Sequence, residues 1–376
     1  MIDTEVIVGS GLKITCRSDE LVQRLGVVAR AVSTRASVQI LSGVLLHAVG
    51  GELELAATDM ELSLRARLPA EVEGEGSVVL PGRTLLDIAR LLPDDEVVFE
   101  HRPSDSVVHM SCGSASYTLH TYAAEDFPRL PDVDSLTTFS VARESLVETI
   151  GRVARSASRD ESRPVLTGIL VRFEPGKLVM AATDSYRLSV KETPLDDVTV
   201  ELEAIVPARA LQELLRIAQS GATVEVGVQE NQVAFAADDV WLTTRRIEGQ
   251  FPNYKQLLPE SFEHELTLSR TEVLDVVKRV AVVIQRSSPL QLRFAEGELT
   301  VTARTHELGE ARESMPAPFT GDPLEIGFNA DFLREGFESV TSDDVRVKLI
   351  SPLRPAVLQG EEDDFTYLVM PIRLPG

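Results

Sequence analysis

The residues that could carry acid–base chemistry in this chain are two aspartates in matching sequence surroundings. Asp59 and Asp184 each end a run of Ala-Ala-Thr-Asp, and 125 residues separate them. A close pair of carboxylates can serve as a general acid and a general base. Because these two occupy equivalent points in separate copies of one sequence unit, we expect them to lie far apart, which argues against such chemistry.

The other reactive residue types also lack the spacing that catalysis or metal binding needs. No metal-ligand spacing relates the six histidines, which are His47, His101, His109, His120, His264 and His306. No serine or cysteine nucleophile motif accompanies them, and GSGLK near Gly9 lacks the spacing of a phosphate-binding loop. Cys16 and Cys112 stand in alternating apolar stretches, so we expect buried, inert thiols. The sequence therefore predicts no catalysis, no metal and no cofactor.

Both aspartates belong to a sequence unit that occurs three times. Residues 21–59 return at 146–184, and more faintly from 273 to 303. LPGRTLLDIARLL at 80–92 returns as VPARALQELLRIA at 206–218, and more loosely at 326–340. Solenoid repeats reach only about 50 residues, so a much longer unit indicates globular domains in series. We expect three domains, at residues 1–134, 135–261 and 262–376.

Each copy predicts two helices among short strands. Apolar residues at helical spacing predict helices over 19–35, 82–92, 143–159, 207–218, 270–286 and 329–340. Ser18 and Pro207 are residue types that favour a helix start. Alternating runs predict strands over 52–57, 107–122, 177–182 and 224–237. The predicted fold class is α+β, with more strand than helix.

Charge is distributed unevenly along the chain. The net charge of −22 argues at first against a nucleic-acid partner. The six predicted helices nevertheless carry 16 Lys and Arg against 11 Asp and Glu. This pattern is typical either of ordinary solvated helix faces or of an inner basic surface within an acidic shell. No apolar run reaches the roughly 18 to 20 residues of a membrane span, and no signal peptide is evident, so we expect a soluble, cytoplasmic protein without a membrane partner.

A basic surface and a threefold repeat together suggest a ring. Three similar domains, each with helices on one face of a sheet, would form a curved array with an unpaired strand edge at each end. Head-to-tail pairing of two arrays would remove both edges and close a ring. A hole lined by arginine would attract a polyanion.

Three segments carry a resemblance to a known family: AATDSYRLSV at 181–190, EGQFPNYKQLLP at 248–259 and YLVMPIRL at 367–374. With the repeats, they make the whole chain resemble the bacterial sliding clamps, the beta subunits of DNA polymerase III. The resemblance implies three tandem clamp domains, each with two helices on the inner face of antiparallel sheets, and a head-to-tail homodimer that forms a six-domain ring. It also implies a non-catalytic processivity factor that encircles double-stranded DNA without sequence preference.

The resemblance further implies partners that bind through short linear peptides: the DNA polymerase III alpha subunit, the clamp loader, other polymerases and repair proteins. The family's peptide pocket maps onto Leu166, Thr183, Tyr186, Arg187, Leu188, Pro252, Leu257, Val369, Met370, Pro371 and Ile372. Those residue types would make an apolar groove with an adaptable methionine and an arginine at its edge. Because Thr58-Asp59 repeats Thr183-Asp184 in the first copy, the dipeptide alone is a structural turn.

The implied DNA contacts are Arg35, Arg83, Arg159, Arg163 and Arg209. The family usually has Arg-Pro-x-Leu-Pro-Ile-Leu in the first loop, whereas this chain reads Arg-Ala-Ser-Val-Gln-Ile-Leu from Arg35, so we expect a less rigid loop. In the second-domain loop, Arg159 and Arg163 stand where some relatives place glutamine and tyrosines.

At the implied dimer interface, Tyr117 matches an aromatic on an edge strand, and Val282 and Val283 match apolar helix positions that receive it. The two valines otherwise fit an ordinary core.

Two other classes of protein remain as alternatives. An enzyme is disfavoured by the spacing of its potential catalytic residues. A non-enzymatic scaffold of tandem domains would predict flexible linkers, whereas the connections at 131–140 and 259–267 are short. That alternative also leaves the basic helices unexplained.

Overall fold

The computed structural model describes residues 11–33, 38–93, 95–102, 104, 106–131, 137–195, 198–229, 231–284, 288–361 and 364–374. The chain forms two compact units, one of Met1–Arg143 with Glu213–Arg246 and one of Glu144–Gln212 with Ile247–Gly376. Both units therefore include part of the middle sequence repeat. The domain boundaries expected from the repeat stay a prediction.

The elements follow one another in three similar series. The first series is β1 (Leu12–Arg17), α1 (Ser18–Val28), β2 (Gly43–Val49), β3 (Glu52–Thr58), β4 (Leu62–Pro69), β5 (Glu71–Glu73), β6 (Gly76–Pro81), α2 (Gly82–Ala89), β7 (Glu96–Arg102), β8 (Val107–Cys112) and β9 (Ala115–His120). The second is β10 (Thr138–Ala142), α3 (Arg143–Val153), α4 (Pro164–Thr167), β11 (Gly168–Glu174), β12 (Lys177–Thr183), β13 (Arg187–Pro194), β14 (Leu202–Pro207), α5 (Ala208–Ile217), β15 (Thr223–Gln229), β16 (Gln232–Ala237) and β17 (Val240–Arg245). The third is β18 (His264–Ser269), α6 (Arg270–Ala281), β19 (Leu290–Ala295), β20 (Glu298–Thr305), β21 (Gly309–Pro316), β22 (Leu324–Phe328), α7 (Ala330–Ser339), β23 (Asp344–Leu349), β24 (Ala356–Gln359) and β25 (Phe365–Val369).

The first unit is built on two antiparallel sheets. One has the strand order β5-β1-β7-β8-β9, and the other has the order β10-β15-β16-β17-β4-β3-β2-β6. In the larger sheet, β4 from the first repeat pairs with β17 from the second, with Leu64 opposite Leu242. The sheet thus continues from one repeat into the next.

The second unit repeats this construction. Its larger antiparallel sheet has the order β14-β11-β12-β13-β25-β24-β23-β18, and its smaller one has the order β21-β20-β19-β22. Here β13 from the second repeat pairs with β25 from the third, with Leu188 opposite Leu368. The predicted α+β class and the tandem arrangement are confirmed.

Helices begin where predicted, but several end earlier. α1 and α3 stop at Val28 and Val153, and single 3-10 turns follow at Ala29–Ala31 and Ala154–Ser156. Ala31 and Ser156 stay buried in those turns. The apolar spacing therefore runs past the end of each α-helix, which explains the overlong predictions.

The helices bury equivalent positions against their sheets. Residues one and two turns apart are nearly inaccessible in three of them, namely Leu21, Leu25 and Val28, Leu146, Ile150 and Val153, and Val273, Val277 and Val280. This is the i, i+4, i+7 stripe that fixes an amphipathic helix on a sheet. It gives each helix a polar outer face.

Ser18 differs from its expected role as a helix cap. It is the first residue of α1, and its hydroxyl donates to the Pro93 carbonyl at 2.8 Å and accepts from the Asp95 amide at 3.2 Å. The serine therefore ties the start of α1 to the chain that follows α2.

Two of the runs predicted as strands form β-hairpins of two strands each. The run at 107–122 divides into β8 and β9, with Gly113 at a φ of 55° in the turn, and the run at 224–237 divides into β15 and β16. Alternation of apolar and polar residues continues through a tight turn, so the pattern alone does not mark the break.

The remaining sequence expectations concern membranes and metals. Within the described ranges, no helix is long and apolar enough to cross a membrane. In the same part of the chain, no group of three or more His, Cys, Asp or Glu side chains is placed to hold a metal ion.

Candidate peptide pocket, nucleic-acid surface and chain edges

The Thr-Asp turn before β13 is held by its own side chains. The Thr183 hydroxyl donates to the Arg187 carbonyl at 2.7 Å. Asp184 Oδ1 accepts from the amides of Tyr186 and Arg187 at 2.9 and 3.0 Å. Ser185, between them, has a left-handed φ of 79°. This geometry projects Tyr186 into solvent at the start of the strand.

The same turn recurs in the first unit. The Thr58 hydroxyl donates to the Leu62 carbonyl at 3.0 Å, and Asp59 Oδ1 accepts from the amides of Glu61 and Leu62 at 3.1 and 2.9 Å. Met60 has a φ of 78°. Both aspartates therefore use a carboxylate oxygen to fix a turn, which gives them a structural role in place of acid–base chemistry.

Strand β13 divides the predicted pocket residues between two faces of its sheet. Side chains alternate along a strand, so Arg187 and Leu188 point to opposite sides. Leu188 packs in a buried cluster with its cross-strand partner Leu368. Val369, opposite Arg187, belongs to the core on the helix side. Leu188 can therefore form the floor of a groove, whereas Arg187 and Val369 support it from behind.

Arg187 is not at the edge of a groove, where the sequence placed it. It is only 8 % exposed, and Nε donates to Asp184 Oδ2 at 3.0 Å. Its other nitrogens donate to Glu335 on α7 and to the Arg155 carbonyl. The guanidinium also lies 4.3 Å from the ring centroid of Phe332. These contacts engage both sides of its planar fork, so Arg187 positions the Thr-Asp turn.

The chain after β25 is fixed at two points. The Met370 amide donates to the Tyr186 carbonyl at 2.8 Å, and the Ile372 amide donates to the Gly327 carbonyl at 2.7 Å. A Cβ on Gly327 would lie 2.8 Å from the Ile372 carbonyl oxygen. Only glycine permits this approach. The tail therefore places Met370 beside Tyr186.

The segment between β17 and β18 covers the Leu188 face of the sheet. Phe251 and Tyr254 are buried in the cluster that contains Leu188. Pro252 and Leu257 lie on the same segment, half-buried and exposed respectively. The two aromatic anchors thus hold a wall that carries two predicted pocket residues.

The predicted pocket residues differ in exposure according to their place in this arrangement. Tyr186, Leu257 and Met370 are exposed. Leu166, Pro252, Pro371 and Ile372 are half-buried, and Thr183, Arg187, Leu188 and Val369 are buried. The surface that a ligand can touch is thus Tyr186, Leu257 and Met370 with the half-buried residues, which we call the apolar rim.

Several residues that build this site were not singled out from the sequence. Phe251 and Tyr254 lie within the EGQFPNYKQLLP segment, and Leu368 lies within YLVMPIRL, so the motifs contained them without distinguishing anchor from surface. Glu335 carried no signal beyond its place on a helix, because its partner Arg187 is 148 residues away.

The predicted DNA contacts are placed on helix starts and a loop. Arg83 and Arg209 are exposed at the second positions of α2 and α5. Arg159 is exposed in the loop after Ala154–Ser156. Arg35 lies outside the described residues.

Arg163 is linked to the candidate pocket. Its Nε donates to Asp160 Oδ2 at 2.8 Å, and its Nη1 donates to the Ser185 hydroxyl at 2.9 Å. Ser185 is in the Thr-Asp turn, so the loop at 158–163 is attached to the turn that projects Tyr186.

Much of the basic charge on the helices is paired with carboxylates. Arg24 bonds Asp239 at 2.8 Å, and Arg279 forms a two-point contact with Glu313 at 2.6 and 3.0 Å. Arg152 on α3 is buried, with its guanidinium carbon 4.3 Å from the Phe365 ring centroid. The helix arginines therefore form a more neutral surface than their count in the sequence suggests.

Two of the strands that end a sheet are β9 and β21. β9 ends the smaller sheet of the first unit, and β21 ends the smaller sheet of the second. Tyr117 on β9 is half-buried. Val282, just after α6, is 77 % exposed, whereas Val283 packs partly against the core of the second unit. The two valines therefore differ, and only Val282 offers a free apolar surface.

Comparison with known proteins gives one consistent result. Family models for the DNA polymerase III beta subunit match the chain at 12–131 (N-terminal domain), 140–253 (central domain) and 255–373 (C-terminal domain). The beta sliding clamp of Streptomyces coelicolor is 33% identical over 380 residues, covering 97% of this chain and 100% of the relative. That of Synechococcus elongatus is 34% identical over 375 residues, covering 96% and 100%.

A solved structure extends the comparison to the fold. The sliding clamp of Pseudomonas aeruginosa bound to griselimycin superposes with a TM-score of 0.90 at 27% identity, covering 97% of this chain and 100% of that one. The three domain matches, the full-length relatives and the shared fold show that the chain belongs to the DNA polymerase III beta subunit family, the sliding clamps that serve DNA replication as non-catalytic processivity factors.

Proposed function

We propose that two copies of this chain join head to tail into a six-domain ring around duplex DNA, with domain boundaries near 134/135 and 261/262. The observation that supports this most is the pairing of strands at the repeat junctions. The first junction is made by β4 with β17, and the second by β13 with β25. In the third repeat, β21 occupies the place of β4 and β13, and β9 in the first repeat occupies the place of β17 and β25.

β9 and β21, each paired on one side only, have the surface expected of an interface between two copies. β9 has no buried residue and β21 has one, whereas at least half of the residues of β4, β13, β17 and β25 are buried. Exposed edges invite pairing with another chain. A second copy that supplies β9 to β21 would complete two more continuous sheets and leave neither edge free, as a closed cyclic dimer requires.

Val282, the apolar residue after α6, also fits an interface between two copies. Arg30 and Arg155 stand at matching positions after α1 and α3. Each contacts a glutamate of the following repeat, on α5 and α7 respectively. At that position the third repeat has Val282, which is exposed. We assign Val282 and Tyr117 to the interface between copies, with Val283 supporting Val282 from the core.

Double-stranded DNA is the proposed partner of the helices, through phosphate contacts that do not depend on base sequence. Arg35, Arg83, Arg159 and Arg209 are the proposed contacts, with Arg163 at the margin because it also bonds the Thr-Asp turn. A topological link allows such contacts to be weak, because a closed ring cannot dissociate sideways.

The apolar rim is proposed to bind short peptide segments of replication and repair proteins, including the polymerase III alpha subunit and the clamp loader, in the cytoplasm. A main-chain hydrogen bond holds Tyr186 and Met370 next to each other, and both side chains are exposed, so they offer an aromatic and an adaptable apolar surface. The Pseudomonas relative that binds griselimycin supports a ligand site in clamps of this fold.

The ring is tested on DNA whose topology can be changed. The protein is loaded onto nicked circular DNA with the clamp loader, and the circle is then cut once. We expect release on linearisation, since only a topological link holds the ring. Retention on the linear molecule would mean ordinary binding and would overturn the ring.

The peptide site is tested with two probes, the polymerase III alpha subunit and griselimycin. Tyr186→Ala and Met370→Ala should each weaken binding about tenfold, the loss typical of a contact residue at an interface centre. Met60→Ala is the matched control, because Met60 is exposed on the equivalent turn of the first unit. Equal affinity of all three variants for both probes would refute the site.

A further inference from the structure

A shared carboxylate joins two basic side chains in the first unit. Glu213 on α5 accepts from Arg216 with Oε1 at 2.5 Å, and its Oε2 lies 3.4 Å from Nη1 of Arg30. The Glu213 side chain is 11% exposed, whereas Arg30 and Arg216 are 43% and 56% exposed. The acid therefore lies beneath two cations that reach solvent.

The second unit contains a similar arrangement, with an equivalent arginine but a second cation from a different helix, α6. Glu338 on α7 bonds Nη1 of Arg155 with Oε2 at 2.7 Å, and its Oε1 lies 3.3 Å from Nζ of Lys278. Its side chain is 28% exposed, against 45% for Arg155 and 47% for Lys278. Arg30 and Glu213 are 183 residues apart, as are Arg155 and Glu338, so the contact between this arginine and the glutamate recurs with the repeat.

Each cluster, which we call a shared-carboxylate triad, carries a net charge of one where its cations alone would carry two. Burial raises the pKa of the Glu338 carboxyl, but Arg155 and Lys278 outweigh burial and hold that pKa below its usual value. The carboxylate therefore stays charged at neutral pH. A phosphate that approaches the cations must compete with it.

We propose that Glu213 and Glu338 set the strength of DNA contact, as built-in counter-charges that keep the helix cations from binding phosphate tightly. This inference rests on the proposed function, because it takes the polar helix faces to be the DNA surface. A sliding protein benefits from weak contacts, since tightly held phosphates would slow its movement along the duplex. The triads weaken contact without removing the cations that attract DNA from a distance.

The Arg30–Glu213 and Arg155–Glu338 contacts also connect successive repeats, but that structural role needs one cation for each carboxylate, whereas each triad has two. The cations themselves are 43–56% exposed, and salt screens the attraction of such solvent-exposed charges. The cations are also more exposed than the carboxylates they surround. This arrangement is expected where a surface must remain basic but must not bind phosphate tightly.

The test compares affinities for a short linear duplex, on which no topological link forms. Glu213→Gln and Glu338→Gln together should tighten binding about three- to tenfold at low salt, and should steepen the dependence of affinity on salt, because more counterions are released. Each single variant should give a smaller shift in the same direction. Sedimentation and circular dichroism confirm that the variants keep the parent's mass and fold.

The matched control carries the same charge change away from the helices. Glu174→Gln with Glu203→Gln removes two carboxylates beside Arg172 on β11 and β14. An equal gain in this control would show an effect of net charge alone and would overturn the proposal.

A third variant separates this inference from the proposed function. Arg30→Ala with Arg155→Ala should weaken binding to the duplex. If it does so while the glutamine variants bind no more tightly than the parent, the counter-charge role is wrong and the DNA surface stands. If neither pair of changes alters affinity, the helix faces are not the DNA surface, and both proposals fail.

Discussion

At the scale of single residues, Arg187 shows how one buried side chain can organise the proposed peptide site without facing it. Its guanidinium bonds a carboxylate of the Thr-Asp turn, a carboxylate on α7 and a backbone carbonyl, and stacks on Phe332. A planar fork with five donors suits this task, whereas lysine offers a single point charge. Arg187 therefore links the turn that projects Tyr186 to the helix side of the sheet.

Replacing Arg187 with methionine should destabilise the second unit by about 3 kcal/mol, because Asp184 and Glu335 would lose their partner in a largely buried place. Urea denaturation measures the change. Arg163→Met is the control: Arg163 and Asp160 are both half-exposed, so its loss should cost less than about 1 kcal/mol. Equal costs for the two variants would contradict the role of Arg187.

Cys16 provides a second prediction at this scale. Burial raises the pKa of its thiol from 9.0 to about 12. At pH 8 the native thiol should resist alkylation, since the thiolate is the reactive form, and it should react after denaturation. Because the folded-state pKa is the higher one, stability from this group is complete below pH 9 and is lost as pH rises towards 12. Rapid modification of native Cys16 at pH 8, measured by mass spectrometry, would contradict this.

At the scale of elements, the packing of α7 on β25 depends on one glycine. A Cβ on Gly336 would lie 2.6 Å from the Tyr367 ring and 2.9 Å from Leu358. Tyr367 is fully buried and donates from its hydroxyl to the Phe332 carbonyl at 2.7 Å. The ring cannot move aside without losing that bond, so the helix and strand are held at a close and specific distance.

Gly336→Ala should therefore destabilise the protein by about 1–3 kcal/mol, the usual cost of overpacking a core. Gly151→Ala is the matched control on α3, where a Cβ meets nothing within 4 Å. That change should stabilise by about 0.5–1 kcal/mol, because alanine favours a helix interior over glycine. Thermal unfolding distinguishes the two, and stabilisation by Gly336→Ala would refute the close contact.

At the scale of the whole molecule, the repeat junctions explain why the strands β9 and β21 are left at the ends of their sheets. Two junctions are made inside the chain by paired strands, and β9 and β21 are left without a strand on one side in the described structure. An exposed valine stands where the internal junctions have an arginine. The proposed dimer uses these three features together.

Val282→Glu with Tyr117→Glu should convert the proposed dimer into monomers of 41.1 kDa, because a charge would be buried in an apolar interface. Sedimentation measures the mass. Val49→Glu with Leu353→Glu is the control, since both side chains are exposed and neither lies on or next to β9 or β21. A double variant that still sediments as a dimer would remove these residues from the interface.

The sequence by itself determined the features that depend on local pattern. Apolar spacing fixed the type and start of the helices, alternation fixed the strands, and the repeat fixed their threefold order, because each pattern reflects the geometry of a few neighbouring residues. The Thr-Asp turn was predictable for the same reason. The motifs at 181–190, 248–259 and 367–374 identified the segments that form the candidate pocket.

Only the tertiary structure decided which side of a sheet each residue faces and which distant charge it meets. Arg187 and Leu188 are neighbours in the motif but lie on opposite faces, and Arg152, a charged residue of a predicted helix, is buried. Arg30 and Arg155 meet glutamates 183 residues away. Periodicity carries no information about such partners, because the energy of an ion pair depends on distance in space and on burial, which are set when the sheets assemble.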